Sequence, residues 1–133
     1  MKRFLFAFCV VGAVAISIAC NPFAPDQSVV LGVSKLDAPA TISAGSSLAI
    51  VLMVTTGGCT SFDHISVERD AAGASLTAWG IDAAKGKKGI GCPAAYLVDT
   101  PHSFQFEPPF QNPFTITVNR GRVSPLIATV QVQ

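Results

Sequence analysis

Apolar and polar residues alternate with a period of two along most of the chain from residue 28 onward, and no stretch there keeps a convincing helical period. Residues 46–56 form the strongest segment. Leu48, Ile50, Leu52 and Val54 share one face, while Ala49, Val51 and Met53 are apolar on the other. A run apolar on both faces fits either a helix or a buried strand. Its β-branched content and its stop at Thr55-Thr56-Gly57-Gly58 predict a strand in the middle of a sheet.

The same alternation predicts the other strands. Residues 28–36 form the first, with Val29, Leu31 and Val33 on one face, and residues 37–45 are a turn-rich connection. Residues 64–69 place Ile65 and Val67 inward and His64, Ser66 and Glu68 outward, and residues 74–81 carry Trp79 against the core. Residues 82–91, with three lysines and three glycines, are a loop. Residues 93–99 are a weaker strand with Tyr96 and Val98, and residues 102–107 turn Phe104 and Phe106 inward. Three prolines make 108–113 a loop. Residues 114–118 bury Phe114, Ile116 and Val118, Asn119-Arg120-Gly121 turns the chain, and residues 123–132 face Leu126, Ala128, Val130 and Val132 to one side. Pro125 requires the edge or the start of that last strand. Seven or eight short strands separated by glycine and proline turns predict an all-β domain, a β-sandwich before a small barrel.

The N-terminus follows a different pattern. Lys2 and Arg3 precede a nearly unbroken apolar run over residues 4–19, and Cys20 follows at once. A basic start, an apolar stretch and a small residue before the cut describe an export signal. The run is shorter than the roughly 20 residues a helix needs to cross a bilayer. Ser17-Ile18-Ala19-Cys20 resembles the lipobox of bacterial lipoproteins, although Ser17 stands at the usual leucine position. The resemblance implies that residues 1–19 are removed as a signal peptide. Cys20 then becomes a lipidated first residue, and residues 20–27 tether a domain spanning 28–133. An ordinary secretory signal cut nearby is the alternative. Two or more acyl chains suffice for stable anchoring. Asn21 lacks the aspartate associated with inner-membrane retention in enteric lipoproteins, which points to an outer membrane if the cell has one.

Processing leaves two cysteines for the domain. Cys9 lies in the signal and Cys20 is committed to lipid, so Cys59 and Cys92 remain as an even pair in an oxidising compartment, where a disulfide is expected. A metal site would need two further ligands, and His64 and His102 lie at unrelated spacings. Closing a loop over 33 residues stabilises by about 4 kcal/mol on the loop-entropy relation.

Charge narrows the partners. Without Lys2 and Arg3, seven lysines and arginines stand against eight aspartates and glutamates, a net charge of −1. Nucleic acid is not an expected partner, because its binding surfaces are strongly basic. The one basic cluster, Lys85, Lys87 and Lys88, is broken by Gly86, and is expected as a solvated loop before an anionic-surface contact.

Candidate chemistry is sparse. Asp63 and His64 are strand neighbours expected on opposite faces, and His102 is expected to face solvent. Asp82 and Asp99 flank Cys92, but no EF-hand or paired-carboxylate spacing accompanies them, and no metal or cofactor is expected. No nucleophile elbow, dinucleotide fingerprint or phosphate-binding loop is present. Phe110, set among prolines, is expected as a plug for one end of the sandwich before a contact site, and is the one candidate contact residue.

The strand over 46–56, the Gly57-Gly58-Cys59 exit, the second cysteine at 92 and the closing hairpin over 114–121 resemble the immunoglobulin-like or fibronectin-like domains of bacterial envelope lipoproteins. The expectation is a non-catalytic, membrane-tethered β-sandwich, an adaptor or binding module for an envelope protein. It would engage that partner through an apolar patch near Phe110 or an open edge strand. A small-ligand carrier or an enzyme with a pocket invisible in sequence is the alternative.

Overall fold

The computed structural model describes residues 27–92 and 96–133. The signal peptide expected over 1–19, Cys20 and the tether expected up to residue 26 lie outside the described residues.

The strongest alternation builds the middle of one sheet. β4 (Leu48–Thr56) pairs antiparallel with β2 (Gly32–Asp37) on one side and β7 (Val98–Phe106) on the other. Leu48, Ile50, Leu52 and Val54 are buried, whereas Ala49 is exposed and Val51 and Met53 are half-buried. The doubly apolar run is therefore a central strand with one core face.

The second sheet has six strands and centres on β6 (Gly73–Asp82). β5 (Thr60–Arg69) runs antiparallel along one edge of it. On the other edge β8 (Phe114–Arg120) lies parallel beside residues 73–77, and β1 (Ser28–Val30) takes over antiparallel at 79–81. β9 (Val123–Val132) pairs antiparallel with β8, and β3 (Thr41–Ile42) adds a short parallel pairing to its end. Leu76, Phe114, Ile116, Val118 and Val130 join the buried face of β4 in one core between the two sheets. Burying each such side chain stabilises by roughly 1.5–3 kcal/mol.

Among the described residues nine strands replace the seven or eight expected, for three local reasons. The stretch 28–36 divides at Leu31, whose amide donates to the Ala78 carbonyl at 2.9 Å before the chain leaves one sheet for the other at Gly32. Leu31 seats against Gly80, where an added Cβ would lie 2.6 Å from the leucine Cδ2 and 2.5 Å from the Ser61 carbonyl oxygen. The connection over 37–45 holds the short β3. Conversely, Val98 and Asp99 from the strand expected over 93–99 join the strand expected over 102–107 in one strand running through Pro101, which β7 tolerates because it is an edge strand, while residues 93–95 lie outside the described residues.

The long edges are blunted. β2 carries a bulge at Ser34 beside Lys35, β5 a bulge between Phe62 and His64, and β7 a proline at 101. Bulges, edge charges and prolines are what discourage strand addition.

Two connections between the sheets meet at one end of the molecule. β4 passes to β5 through a tight turn in which Thr60 N–H and Oγ1–H both donate to the Gly57 carbonyl, at 3.1 and 2.7 Å, with Cys59 at its tip. β6 passes to β7 through the loop that carries Cys92. The Cys59–Cys92 disulfide joins these two crossings with a Cα–Cα separation of 5.3 Å, inside the usual range. The Ala83 amide adds a hydrogen bond to the Cys59 carbonyl at 3.0 Å.

Candidate functional site

The two ends of the sandwich differ in kind. The disulfide end is also where the described chain begins: the Asp82 amide donates to the Gln27 carbonyl at 2.9 Å, and Lys85 Nζ donates to the Ser28 carbonyl at 2.7 Å. Asp82 also starts its own loop, accepting the Ala84 amide on Oδ1 at 2.9 Å and the Lys85 amide on its carbonyl at 3.2 Å. Beyond this start, Lys87, Lys88 and Ile90 are exposed. On the far side of the disulfide Tyr96 is 92 % exposed, Leu97 76 % and Val98 53 %. Large apolar side chains this open are ordinary when scattered but carry meaning when grouped. The loop is held by covalent and backbone bonds, so the exposure is imposed by architecture.

The opposite end is closed by its own side chains. Arg69, at the end of β5, donates from Nη2 to the carbonyls of Glu107 and Pro109. Its guanidinium lies 4.9 Å from the Phe110 ring centroid, and Phe110 meets Phe114 edge-on at 5.0 Å. Phe110 is thus half-buried and packed against the core, a plug. Asp70 Oδ1 accepts the amides of Ala72 and Gly73 at 2.8 Å each, which fixes the β5–β6 turn. Gly73 lies so close to β8 that an added Cβ would stand 2.4 Å from the Thr115 carbonyl oxygen. A shallow depression of about 600 Å³ opens there, edged by Glu68, Arg69, Asp70, Ser75, Thr115 and Thr117.

The remaining candidates are dispersed, and three are placed differently from expectation. Asp63 and His64 do meet, with Oδ2 and Nδ1 2.8 Å apart, because the bulge between Phe62 and His64 breaks the alternation that should separate them. Both are exposed. Trp79 lies on the outer face of its sheet, since Ala74, Leu76, Ala78 and Gly80 take the inner positions. Its indole N–H donates to Ser66 Oγ at 3.0 Å, and His64 stacks near its ring. His102 does not face solvent. It shares the inner face with Phe104 and Phe106, stacks on Phe62 at 4.0 Å between centroids, and keeps a buried Nε2 with no hydrogen-bond partner among the described residues.

Asp82 and Asp99 do not share a site. Asp99 sits on the outer face of the three-stranded sheet, accepting Thr55 Oγ1–H at 2.6 Å and Ser34 Oγ–H at 2.7 Å. Those two hydrogen bonds, the one from Thr55 foremost, hold its carboxyl below the ordinary 3.8. Among the described residues no three His, Cys, Asp or Glu side chains gather as a metal ion would require.

Sequence reasoning missed Ile90, Leu97 and Arg69. Ile90 stands between Gly89 and Gly91 and Leu97 between Tyr96 and Val98, so apolar residues in or next to a polar, glycine-rich loop were the available signal. Arg69 offered none, because its partners lie about 40 residues away. Comparison with known proteins finds no matching family model, no matching curated protein and no matching solved structure.

Proposed function

We propose that this chain is a non-catalytic lipoprotein of the cell envelope, anchored through Cys20, whose β-sandwich serves as an adaptor or binding module for another envelope protein. The observation that carries the reading is the position of Gln27. The tether joins the domain at the disulfide end, so a lipid on Cys20 holds that end near the bilayer and turns the Arg69–Phe110 end away from it. The disulfide fits an exported chain, because such bonds persist in oxidising compartments. Within this reading the sandwich is of immunoglobulin-like type. Two packed sheets and a first strand that changes sheets support that class, while the parallel β6–β8 and β3–β9 pairings depart from a purely antiparallel plan. The depression beside Gly73 is read as a protein contact rather than a ligand pocket, because it is shallow and Arg69 and Asp70 are engaged in holding their own turns.

Two measurements test this. The mass of the mature N-terminus from cells should show diacylglyceryl and acyl groups on Cys20, and Cys20→Ser should move the protein out of the membrane fraction. An unmodified N-terminus at another residue sinks the reading. Cross-linking in intact cells should capture an envelope protein through residues around Asp70 and Glu68.

A further inference from the structure

We infer that the disulfide-closed end is itself a membrane-contact surface, fitted to anionic phospholipid headgroups. The inference rests on the Cys20 anchor for its geometry, since the anchor brings this end to the bilayer. Residues 21–26 separate Cys20 from Gln27, and the seven residue steps between them reach at most about 25 Å when extended. The loop over 82–92 starts on Gln27 itself through the Asp82 amide, so it stays within that reach.

Three features of this end suit a lipid surface. The first is charge. Lys85, Lys87 and Lys88 stand against Asp82 alone within 82–92, while the other four cations of the mature chain face seven carboxylates. The loop is therefore a local cluster of positive charge, three cations against one carboxylate, with Asp26 beside Gln27 and Asp99 beyond Val98 in sequence, and that cluster is what an anionic surface attracts. Screening confines this attraction to about 8 Å at physiological salt, and the tether keeps the loop close enough to the bilayer to sample that range. The second is apolar exposure: five of the eight large apolar side chains exposed among the described residues lie at this end, Ile81, Ile90, Tyr96, Leu97 and Val98. Tyr96 is the only tyrosine, and aromatic rings with a polar tip favour the headgroup level of a bilayer. The third is rigidity. The disulfide, the Ala83–Cys59 hydrogen bond and the Lys85–Ser28 hydrogen bond fix the lysines and the apolar residues to one end. A soluble protein partner is the competing occupant. The mixture of separate cations with large exposed apolar side chains, and the continuity with a lipid tether, favour the bilayer.

The test uses the mature chain carrying Cys20→Ser, so that binding through the loop is measured without any acyl chain and independently of whether Cys20 is modified in cells. The probe is sedimentation with vesicles of phosphatidylcholine, with and without phosphatidylglycerol. Binding should require phosphatidylglycerol and weaken as salt rises. Each lysine near an anionic surface contributes about fivefold in affinity, so Lys85→Gln, Lys87→Gln and Lys88→Gln together should lower binding by about a hundredfold. Ile90→Ser, Tyr96→Ser and Leu97→Ser together should weaken binding while leaving its salt dependence in place. All six residues lie on the surface loop, and an unchanged melting temperature certifies the fold of each variant. Equal binding to both vesicles, no binding to either, or wild-type binding by the lysine variant overturns the inference, as does cross-linking of Lys87 in cells to a protein instead of lipid. A failure of the anchor itself would show separately, as an unmodified Cys20 in the N-terminal mass measurement.

Discussion

The disulfide end and the Phe110 end solve the same problem, closing a sandwich whose strands run out, by different means. At the Phe110 end the core closes itself: Phe110 packs edge-on against Phe114, and Arg69 covers the ring while bonding the carbonyls of the loop behind it. At the disulfide end the closure is covalent, and apolar side chains are left outside. Hydrophobic plugging consumes the residues that could otherwise contact a partner. A disulfide closes the end without them, and leaves Tyr96 and Leu97 free.

Breaking each closure in turn sharpens the contrast. Replacing Cys59 and Cys92 with serine should have the largest effect, a loss of about 4 kcal/mol in chemical denaturation, because a 33-residue loop is released in the unfolded chain. Hydrogen exchange in that variant should rise first around residues 83–92 and least around Phe114. If protection falls equally at both ends, the two closures are not independent. Phe110→Ala should cost about 2 kcal/mol, less than full burial of a phenylalanine would, since the ring is only half-buried. Its exchange signature should lie at the opposite end, around residues 69–73.

Between the ends, His102 offers a change of opposite sign. Its ring stacks on Phe62 with Nε2 buried and without a hydrogen-bond partner among the described residues. His102→Phe keeps the stacking and removes the unsatisfied nitrogen, and should raise stability by about 1 kcal/mol. A lower midpoint in denaturant would mean that the nitrogen is satisfied in solution.

The smallest effect concerns Asp99. Thr55 and Ser34 hydrogen bonds lower its carboxyl below 3.8, so the stabilisation they bring is present above that value and disappears as pH falls through the lowered one. Thr55→Val with Ser34→Ala should return the titration of this exposed carboxylate to the ordinary range by NMR. An unshifted titration would show that the two hydroxyls do not act on it.

These residues also show what the sequence discloses. Where one face is buried along a whole strand, as in β4 and β8, parity identifies both the strand and its core face. Parity also held the answer for His102, which stands two residues before Phe104, and for Trp79, which falls between Ala78 and Gly80. At both positions strand parity, not side-chain polarity, decides which face the residue takes. The switch of the first strand at Leu31–Gly32 was not legible, because alternation continues unbroken while the pairing partner changes from β6 to β4. Nor was the Asp63–His64 pair, which depends on a bulge defined by the opposing strand. The disulfide was legible through cysteine parity alone. That Gln27, Lys85 and Leu97 share one end is a fact of tertiary structure.

The proposed orientation of the domain is best measured on protein carrying the proposed acyl groups at Cys20, in phosphatidylglycerol-containing nanodiscs doped with a spin-labelled headgroup lipid. Paramagnetic broadening of amide signals should be strong for residues 85–90 and weak for residues 70–73. Equal broadening at the two ends, or stronger broadening at 70–73, contradicts a domain that stands on its disulfide end.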